Sequence, residues 1–138
     1  MPGSDGTFTL LIASYLEEEY VEQIRRVDPR LRVVNEPELL RPPRYAADHT
    51  GTPVPRSAEQ EARWRELLAE ADIFFDCDQT HREDLPEVAP NVRWVQATSA
   101  GIGQFVKRMG YDVRMPDTVF TTASGVHAAP LAEFCLMS

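Results

Sequence analysis

The segment at residues 98–103, Thr-Ser-Ala-Gly-Ile-Gly, is the part of the chain best suited to bind an anion. It follows an apolar stretch typical of a strand and precedes a stretch with helical spacing of its apolar residues. The first N–H groups of a helix have no partner within the helix, and the helix dipole favours negative charge there. Small side chains would let a ligand approach this backbone closely. The sequence therefore predicts an anion site, with a plain chain reversal as the alternative interpretation.

Two familiar phosphate-binding motifs do not fit this segment. A P-loop requires a Gly-Lys-Ser/Thr sequence, and none follows Gly103. A dinucleotide-binding fingerprint requires three glycines after the first strand, whereas Gly101 and Gly103 come late in the chain and lack the third. The predicted site is therefore a simple strand-to-helix turn.

A second polar group, Asp76, Asp78 and His81, follows another apolar stretch. A carboxylate after the third strand is typical of phosphate-accepting receiver domains, which also need an acidic pair after the first strand and a lysine after the fifth. Here the first strand is followed by Ala13-Ser14, and the single lysine of the chain is Lys107. We therefore expect neither phosphoryl transfer nor a metal site, and we interpret the group as solvated side chains.

The nucleophilic side chains form no recognised catalytic pattern. Neither Ser99 nor Ser124 lies in a nucleophile-elbow sequence, and we interpret His127 as a residue that caps or packs at the start of a helix. Cys77 falls in a predicted strand and Cys135 in a predicted helix, so both are expected to be reduced thiols. These residues favour neither a serine hydrolase nor a redox role for the two cysteines.

The segment at residues 37–55 contains five prolines and shows no periodicity. Proline removes backbone donors and disfavours both helices and central strands. We interpret the segment as a solvated surface loop. The alternative is that it contacts an anionic ligand, because it carries Arg41, Arg44, Tyr45 and His49.

Apolar stretches alternate with helical periodicity along the whole chain. Strands are predicted at residues 8–14, 31–36, 72–78, 92–98 and 118–124. A capping box at Ser57 and Gln60 predicts the start of one helix, and Gly110 predicts the end of another. This alternation predicts an α/β fold, a flavodoxin-like five-stranded parallel sheet of order 2-1-3-4-5 with helices on both faces. Ligands in such folds bind beyond the carboxyl ends of the strands, which agrees with the predicted anion site.

Composition limits the possible functions. The chain has 138 residues, 43% of them hydrophobic, and this size suits one domain rather than two. Its net charge of −8 argues against nucleic acid as a partner, because phosphate binding needs a cationic surface. The sequence has no apolar run of membrane-spanning length and no signal-peptide pattern. We therefore expect a cytoplasmic protein that does not bind membranes.

Two blocks of sequence resemble the D-isomer-specific 2-hydroxyacid dehydrogenases. Residues 90–102 read Pro-Asn-Val-Arg-Trp-Val-Gln-Ala-Thr-Ser-Ala-Gly-Ile, and residues 123–133 read Ala-Ser-Gly-Val-His-Ala-Ala-Pro-Leu-Ala-Glu. They look closest to the glyoxylate/hydroxypyruvate reductase-like and phosphoglycerate dehydrogenase-like branch. In this family a flavodoxin-like first domain binds the substrate, and a second, Rossmann domain binds NAD or NADP.

The resemblance implies roles for four residues of the predicted anion site. The substrate, a small 2-oxo or 2-hydroxy carboxylic acid, would bind by its carboxylate to the backbone amides of Ser99, Ala100, Gly101 and Ile102. Ala100 would also approach the nicotinamide of the cofactor. The physical interpretation of this turn as an anion site agrees with the implied role.

The resemblance also implies a division of the chain. Residues 1–126 would form the substrate-binding domain, and residues 127–138 would begin the interdomain helix, truncated before the Rossmann domain. The cofactor glycines and the catalytic Arg, Glu and His of the family would all follow Ser138. We therefore expect no catalytic residue in this chain, no tight binding of NAD or NADP, and no activity of the chain alone.

The alternative, from a different functional class, is a stand-alone binding or interaction module without catalytic activity. The last predicted helix is strongly apolar and contains Leu131, Phe134, Cys135, Leu136 and Met137. These side chains would be exposed on a lone domain, and exposed apolar patches promote pairing. We therefore expect a homo-oligomer, in the simplest case a dimer, that forms through this C-terminal helix.

Overall fold

The computed structural model describes residues 6–138 and contains one five-stranded parallel sheet. The strands lie in the order β2-β1-β3-β4-β5. Their bounds are β1 Phe8–Ile12, β2 Leu31–Val34, β3 Ile73–Phe75, β4 Trp94–Gln96 and β5 Val119–Thr121. The predicted α/β class and the flavodoxin-like strand order are confirmed.

Helices connect the strands, as parallel pairing requires. Their bounds are α1 Glu18–Arg25, α2 Ala58–Glu70, α3 Leu85–Val88, α4 Ile102–Met109, α5 Tyr111–Arg114 and α6 Ala128–Met137. A 3-10 turn at Pro37–Leu39 follows β2. The connection from β1 to β2 runs across the sheet in one direction, and the later connections run in the other. Right-handed crossovers in opposite directions place their helices on opposite faces, so α1 covers one face of the sheet and α2 to α5 cover the other.

The strands are shorter than the sequence predicted. The stretches expected to end at residues 14, 36, 78, 98 and 124 each leave the sheet two or three residues earlier. Ala13 and Ala97 still donate backbone hydrogen bonds across the sheet, to the carbonyls of Phe75 and Thr121, at 2.9 Å each. The residues beyond them form the loops of the carboxyl edge, where the candidate sites lie.

The longest helix, α2, begins and packs as its sequence predicts. The Ser57 hydroxyl accepts from the Gln60 N–H, and the Gln60 side chain accepts from the Ser57 N–H, which completes the capping box. Trp64, Leu67 and Leu68 are buried and face the sheet core. Helix α2 is thereby fixed along one face of the sheet, with its first turn near the carboxyl edge.

Helix α4 ends at Gly110, as predicted. Gly110 has a left-handed backbone with φ of +68°, and its N–H contacts the carbonyls of Val106 and Lys107. The next residue, Tyr111, is almost fully buried and stacks on Phe120 of β5 with 5.8 Å between the ring centroids. These contacts fix the direction of α4 and therefore the position of its first turn.

The two faces of the sheet are covered unequally. Leu11, Phe74 and Val95 lie in register on the face under α2 to α5, and all three are buried. Trp94 and Val119 lie in register on the opposite face, where they are 41% and 59% exposed. Helix α1 covers the β1 side of that face and leaves the β4 and β5 side open.

An apolar groove of about 210 Å³ lies beside α1 on the open face. Its lining includes Leu10, Ile24, Val27, Ile73, Phe75 and Trp94. Helix α6 buries none of its side chains, and the expected exposure of its apolar residues is confirmed. Within residues 6–138, no helix is both long and apolar enough to cross a membrane.

Candidate functional site at the carboxyl edge

The anion turn, residues 98–103, lies between the end of β4 and the start of α4. Ser99, Ala100 and Gly101 are exposed, whereas Ile102 is buried in the core. The four residues predicted to bind a carboxylate therefore lie together at the edge of the sheet. Ile102 anchors the turn, and the other three border solvent.

In the part of the chain that the structure describes, no side chain caps the start of α4. The N-cap residue is Gly101, which has no side chain to accept from the first N–H groups. A Cβ atom placed at Gly101 or Gly103 would meet nothing within 4 Å, so the space in front of the helix is open. The first N–H groups of α4 are therefore free to bind an anion.

A cavity of about 190 Å³, here called the turn cavity, opens beside the anion turn. One wall comes from the anion turn and α4, and the other comes from the loop after β3. The lining residues are Asp76, Cys77, Gln79, Arg82, Ser99, Gly101, Ile102 and Phe105. Because β3 and β4 are neighbours in the sheet, the fold brings together two polar segments that lie more than a dozen residues apart.

Asp76 lines the turn cavity in an unusual backbone conformation. Its φ of +69° lies in the left-handed region, although the residue is not a glycine, and the residue is only 5% exposed. Its carboxylate accepts from the Thr98 N–H at 3.4 Å. Left-handed non-glycine residues cost about 1–3 kcal/mol and cluster at functional sites. The expectation that Asp76 is a solvated side chain is therefore wrong.

Arg82 brings a positive charge to the turn cavity, and the sequence analysis did not identify it. Its guanidinium donates to the Gln79 side chain and lies 5.9 Å from the centroid of the Phe105 ring. A lone arginine in a polar turn gives little signal in a sequence, because most such residues are solvated. Its planar fork of donors is well suited to a carboxylate.

Cys77 also lines the turn cavity, but it is not a reactive thiol. The residue is buried, and burial together with the Asp76 and Asp78 carboxylates raises the pKa of the thiol to about 12. The thiolate is the nucleophilic form, and it is not populated near neutral pH under these conditions. The structure therefore agrees with the interpretation of Cys77 as a small apolar residue of the core.

Asp78 and His81 belong to a separate polar cluster between α2 and the loop after β3. Asp78 accepts from the Trp64 indole N–H at 3.1 Å. The His81 ring lies between two carboxylates, with Nε2 2.6 Å from Glu61 and Nδ1 3.1 Å from Asp84. Both residues are buried, so the expectation that they are solvated is wrong. The packing of α2 against this loop explains the difference.

The charges of this cluster are paired. Burial raises the pKa of Glu61, but the hydrogen bond and charge of His81 and the charge of Arg56 bring it below its usual value. Burial also raises the pKa of Asp84, but the hydrogen bond and charge of His81 outweigh it, so the pKa of Asp84 is lowered. Over residues 6–138, no group of three or more His, Cys, Asp or Glu side chains could hold a metal ion. The cluster is best described as a structural ion-pair network.

Ser99, Ser124 and His127 are all exposed, and no hydrogen bond among the described residues links them. His127 occupies the N-cap position of α6, where its side chain makes no capping hydrogen bond. His127 therefore lies at the start of a helix, as predicted, but its side chain neither caps nor packs. These residues do not assemble into a catalytic triad.

The structure divides the four residues singled out in the proline-rich segment into two pairs, Arg44 with Tyr45 and Arg41 with His49. Arg44 pairs with the buried Asp48 at 2.7 Å, and Tyr45 is 63% exposed. Arg41 and His49 instead line a small second pocket at the carboxyl edge. The segment is also more ordered than a solvated loop, since Asp48 accepts hydrogen bonds from backbone N–H groups within it.

Comparison with known proteins finds no matching family model, no matching curated protein and no matching solved structure. The strand order and the turn cavity are consequently the observations from which a function can be argued. The cavity combines an open helix start, one arginine and one strained aspartate. This combination suits a small ligand that carries a carboxylate and a hydroxyl group.

Proposed function

We propose that this chain is the substrate-binding domain of an NAD(P)-dependent D-2-hydroxyacid dehydrogenase, or 2-oxoacid reductase. The observation that carries the proposal is the uncapped start of α4 beside the turn cavity. The resemblance of residues 90–102 and 123–133 to this enzyme family supports it. A cytoplasmic location, in which thiols stay reduced, belongs to the same proposal.

The lining of the turn cavity has complementary groups for both ends of a 2-hydroxy acid. The carboxylate would accept from the N–H groups at the start of α4 and from the guanidinium of Arg82. The 2-hydroxyl group would donate to the carboxylate of Asp76. A simple carboxylic acid lacks the second interaction, so the cavity favours the 2-hydroxy acids.

The nicotinamide cofactor, when bound, would supply or accept the hydride. Ala100 is exposed at the rim of the anion turn, and the space in front of Gly101 is open, so a flat ring has room beside the substrate. The residues of this chain would bind and orient the acid. The cofactor glycines and the catalytic Arg, Glu and His belong, by the same resemblance, to a second domain, so we expect the 138 residues alone to be inactive.

Binding of a 2-hydroxy acid should move the backbone amide signals of residues 99–103 in a ¹⁵N-labelled sample. We expect D-glycerate to bind weakly, with a dissociation constant of about 1–10 mM. Arg82→Gln should weaken binding about tenfold, because a charge-assisted hydrogen bond is lost. The measurement is a chemical-shift titration with D-glycerate, compared with the uncharged D-glyceramide.

Arg108→Gln is the matched control for this titration. Arg108 and Arg82 lie at 5.8 and 5.9 Å from the same Phe105 ring, but Arg108 does not line the turn cavity. The control variant should therefore bind D-glycerate within about twofold of the wild type. Equal weakening by both variants, or equal shifts with D-glyceramide, would contradict the proposed site.

The second candidate function, a stand-alone interaction module, is favoured by a different observation. Helix α6 exposes its apolar side chains, with Phe134 67% and Leu136 87% exposed. One face of the sheet is also open near Trp94. A second copy of the chain could cover both surfaces if each α6 packed on the open face of its partner. Such an exchange of identical elements is a common route to a symmetric dimer.

We expect the wild-type chain to self-associate through α6 at concentrations of about 100 µM. The double variant Phe134→Glu/Leu136→Glu should shift it to monomer, because the charges would have to be buried. The measurement is sedimentation velocity over a concentration series. Val113→Glu is the control, because Val113 is also an exposed apolar residue, at 77%, but lies on α5. A wild-type monomer throughout the series would count against association.

A further inference from the structure

A small pocket lies where the direction of chain progression across the sheet reverses. The chain moves from β1 outward to β2, then returns past β1 to β3, β4 and β5. The loops after β1 and β3 therefore leave in opposite directions and open a crevice, which is where ligands bind in open α/β sheets. We call this crevice the switch-point pocket; its lining includes Ser14, Tyr15, Arg41, His49, Arg56 and Thr80.

Ser14 gives the first sign that this pocket takes a ligand. It lies just after β1 and is only 5% exposed. Its hydroxyl oxygen is buried and has no hydrogen-bond partner among the described residues. Leaving a buried polar group unpaired costs about 1–3 kcal/mol, so such groups normally have a bound partner. A ligand in the switch-point pocket would supply one.

The charged groups at the pocket show which ligand would fit. Arg41 is half-buried and forms no ion pair or hydrogen bond within residues 6–138. Arg56 stacks on Trp64, 4.4 Å from the ring centroid, and donates to Thr80 at 3.0 Å. Its Nη2 group makes no hydrogen bond to the described residues. Two guanidinium groups with free donors favour an anionic oxygen.

The acidic groups nearby already have hydrogen-bond partners. The Asp78 carboxylate, which also lines the pocket, accepts from Trp64, from Thr80 and from the His81 N–H. Glu61 approaches Arg56 only at 3.5 Å and is shared with His81. Two arginines, Arg41 and Arg56, and one aspartate, Asp78, line the pocket, so its lining carries a net positive charge of one in a chain whose net charge is −8.

The loop that carries Arg41 is held in place before any ligand binds. Gly51 has φ of +65°, and a Cβ atom there would lie 2.7 Å from Cβ of Arg41 and 2.8 Å from its carbonyl oxygen. The buried Asp48 accepts from the N–H groups of Thr50 and Gly51 at 3.2 and 3.3 Å. Gly51 therefore packs closely against the backbone of Arg41, and the loop loses little conformational freedom when a ligand binds.

We infer that the switch-point pocket binds a small oxyanion group, held by Arg41 and Arg56 and by the hydroxyl of Ser14. The pocket has a volume of about 20 Å³, which admits about one water-sized group. One oxygen of a carboxylate or phosphate would enter, and the rest of the molecule would lie in the mouth near His49. This site is separate from the turn cavity and does not depend on the proposed dehydrogenase function.

A chemical-shift titration of the ¹⁵N-labelled chain tests the inference. Acetate and inorganic phosphate should move the amide signals of residues 13–15 and 49–51 with saturation, whereas acetamide should not. Tighter binding of acetate would assign the pocket to carboxylates, and tighter binding of phosphate would assign it to phosphoryl groups; either result supports an oxyanion site. The amides of residues 99–103 report on the turn cavity in the same spectra, so the two proposals can fail independently.

Two variants separate binding from folding. Ser14→Ala should weaken binding about fivefold without lowering the urea midpoint, because the removed hydroxyl has no partner in the protein. Arg41→Gln should weaken it about tenfold, whereas Arg26→Gln, at an 80% exposed side chain with the same change in charge, should not. Equal shifts with acetamide, no shifts up to about 100 mM acetate and phosphate, or a loss of stability in Ser14→Ala with unchanged affinity would each overturn the inference.

Discussion

Replacing Trp64 with alanine is expected to lower the free energy of unfolding by about 3–5 kcal/mol. Trp64 is fully buried in the layer between α2 and the sheet, so its loss leaves a large cavity. The buried Asp78 carboxylate also loses the indole N–H that lies 3.1 Å away, and the Arg56 guanidinium loses its stacking surface. Urea unfolding followed by far-UV circular dichroism measures the change.

Two further substitutions identify the source of this effect. Trp64→Phe keeps an aromatic ring but removes the donor to Asp78, so an intermediate loss of about 1.5–3 kcal/mol is expected. Trp94→Phe is the control, because Trp94 is 41% exposed and donates to Thr121 at the surface. It should cost less than about 1 kcal/mol. Equal losses for Trp64→Phe and Trp94→Phe would show that the buried hydrogen bond is unimportant.

His81→Gln is expected to destabilise the fold by about 2 kcal/mol at pH 7. Both ring nitrogens of His81 contact carboxylates, Glu61 at 2.6 Å and Asp84 at 3.1 Å, and glutamine cannot reach both. The value is modest because Glu61 and Asp84 are partly exposed and solvent screens their charges. His49→Gln is the matched control, since His49 is exposed, and it should leave the stability within about 0.5 kcal/mol of the wild type.

The same variant should change how stability depends on pH. The pKa values of Glu61 and Asp84 are lower in the folded chain than in the unfolded chain. Below about pH 5 the unfolded chain therefore binds more protons than the folded chain. Wild-type stability should therefore fall as the pH drops from about 5 to 3. His81→Gln should lose less over this range, because His81 makes the contacts that lower both pKa values. Urea midpoints measured at about pH 7, 5, 4 and 3 test this. An equal fall of the midpoint with pH in both proteins would contradict the prediction.

The fold was predictable because its signals are local. The capping box at Ser57 and Gln60 and the left-handed Gly110 each depend on a few neighbouring residues, and both occur where the sequence placed them. The strand order follows from the alternation of strands and helices with right-handed crossovers. The incomplete cover over Trp94 and Val119 was not predictable, because it depends on which helix reaches which part of a face.

The candidate sites were only half predictable, because they depend on contacts between distant segments. The anion turn could be identified from its own composition, as a strand end followed by small residues. Arg82 could not, since it gains its place only when the loops after β3 and β4 meet. Asp76 and Asp78 look equivalent in the sequence. In the structure the backbone is left-handed at Asp76, and Asp76 lines the turn cavity whereas Asp78 lines the switch-point pocket. Periodicity carries no information about such a turn.

The unequal cover of the two sheet faces gives the protein two natural optical reporters. The chain has two tryptophans. Trp64 is buried in the core and stacks against Arg56, whereas Trp94 is partly exposed to water on the open face. Indole emission shifts to longer wavelength in water, so the two side chains emit from different environments. The red-shifted part of the spectrum therefore reports on whatever covers the open face. The blue-shifted part reports on the integrity of the core beside the switch-point pocket.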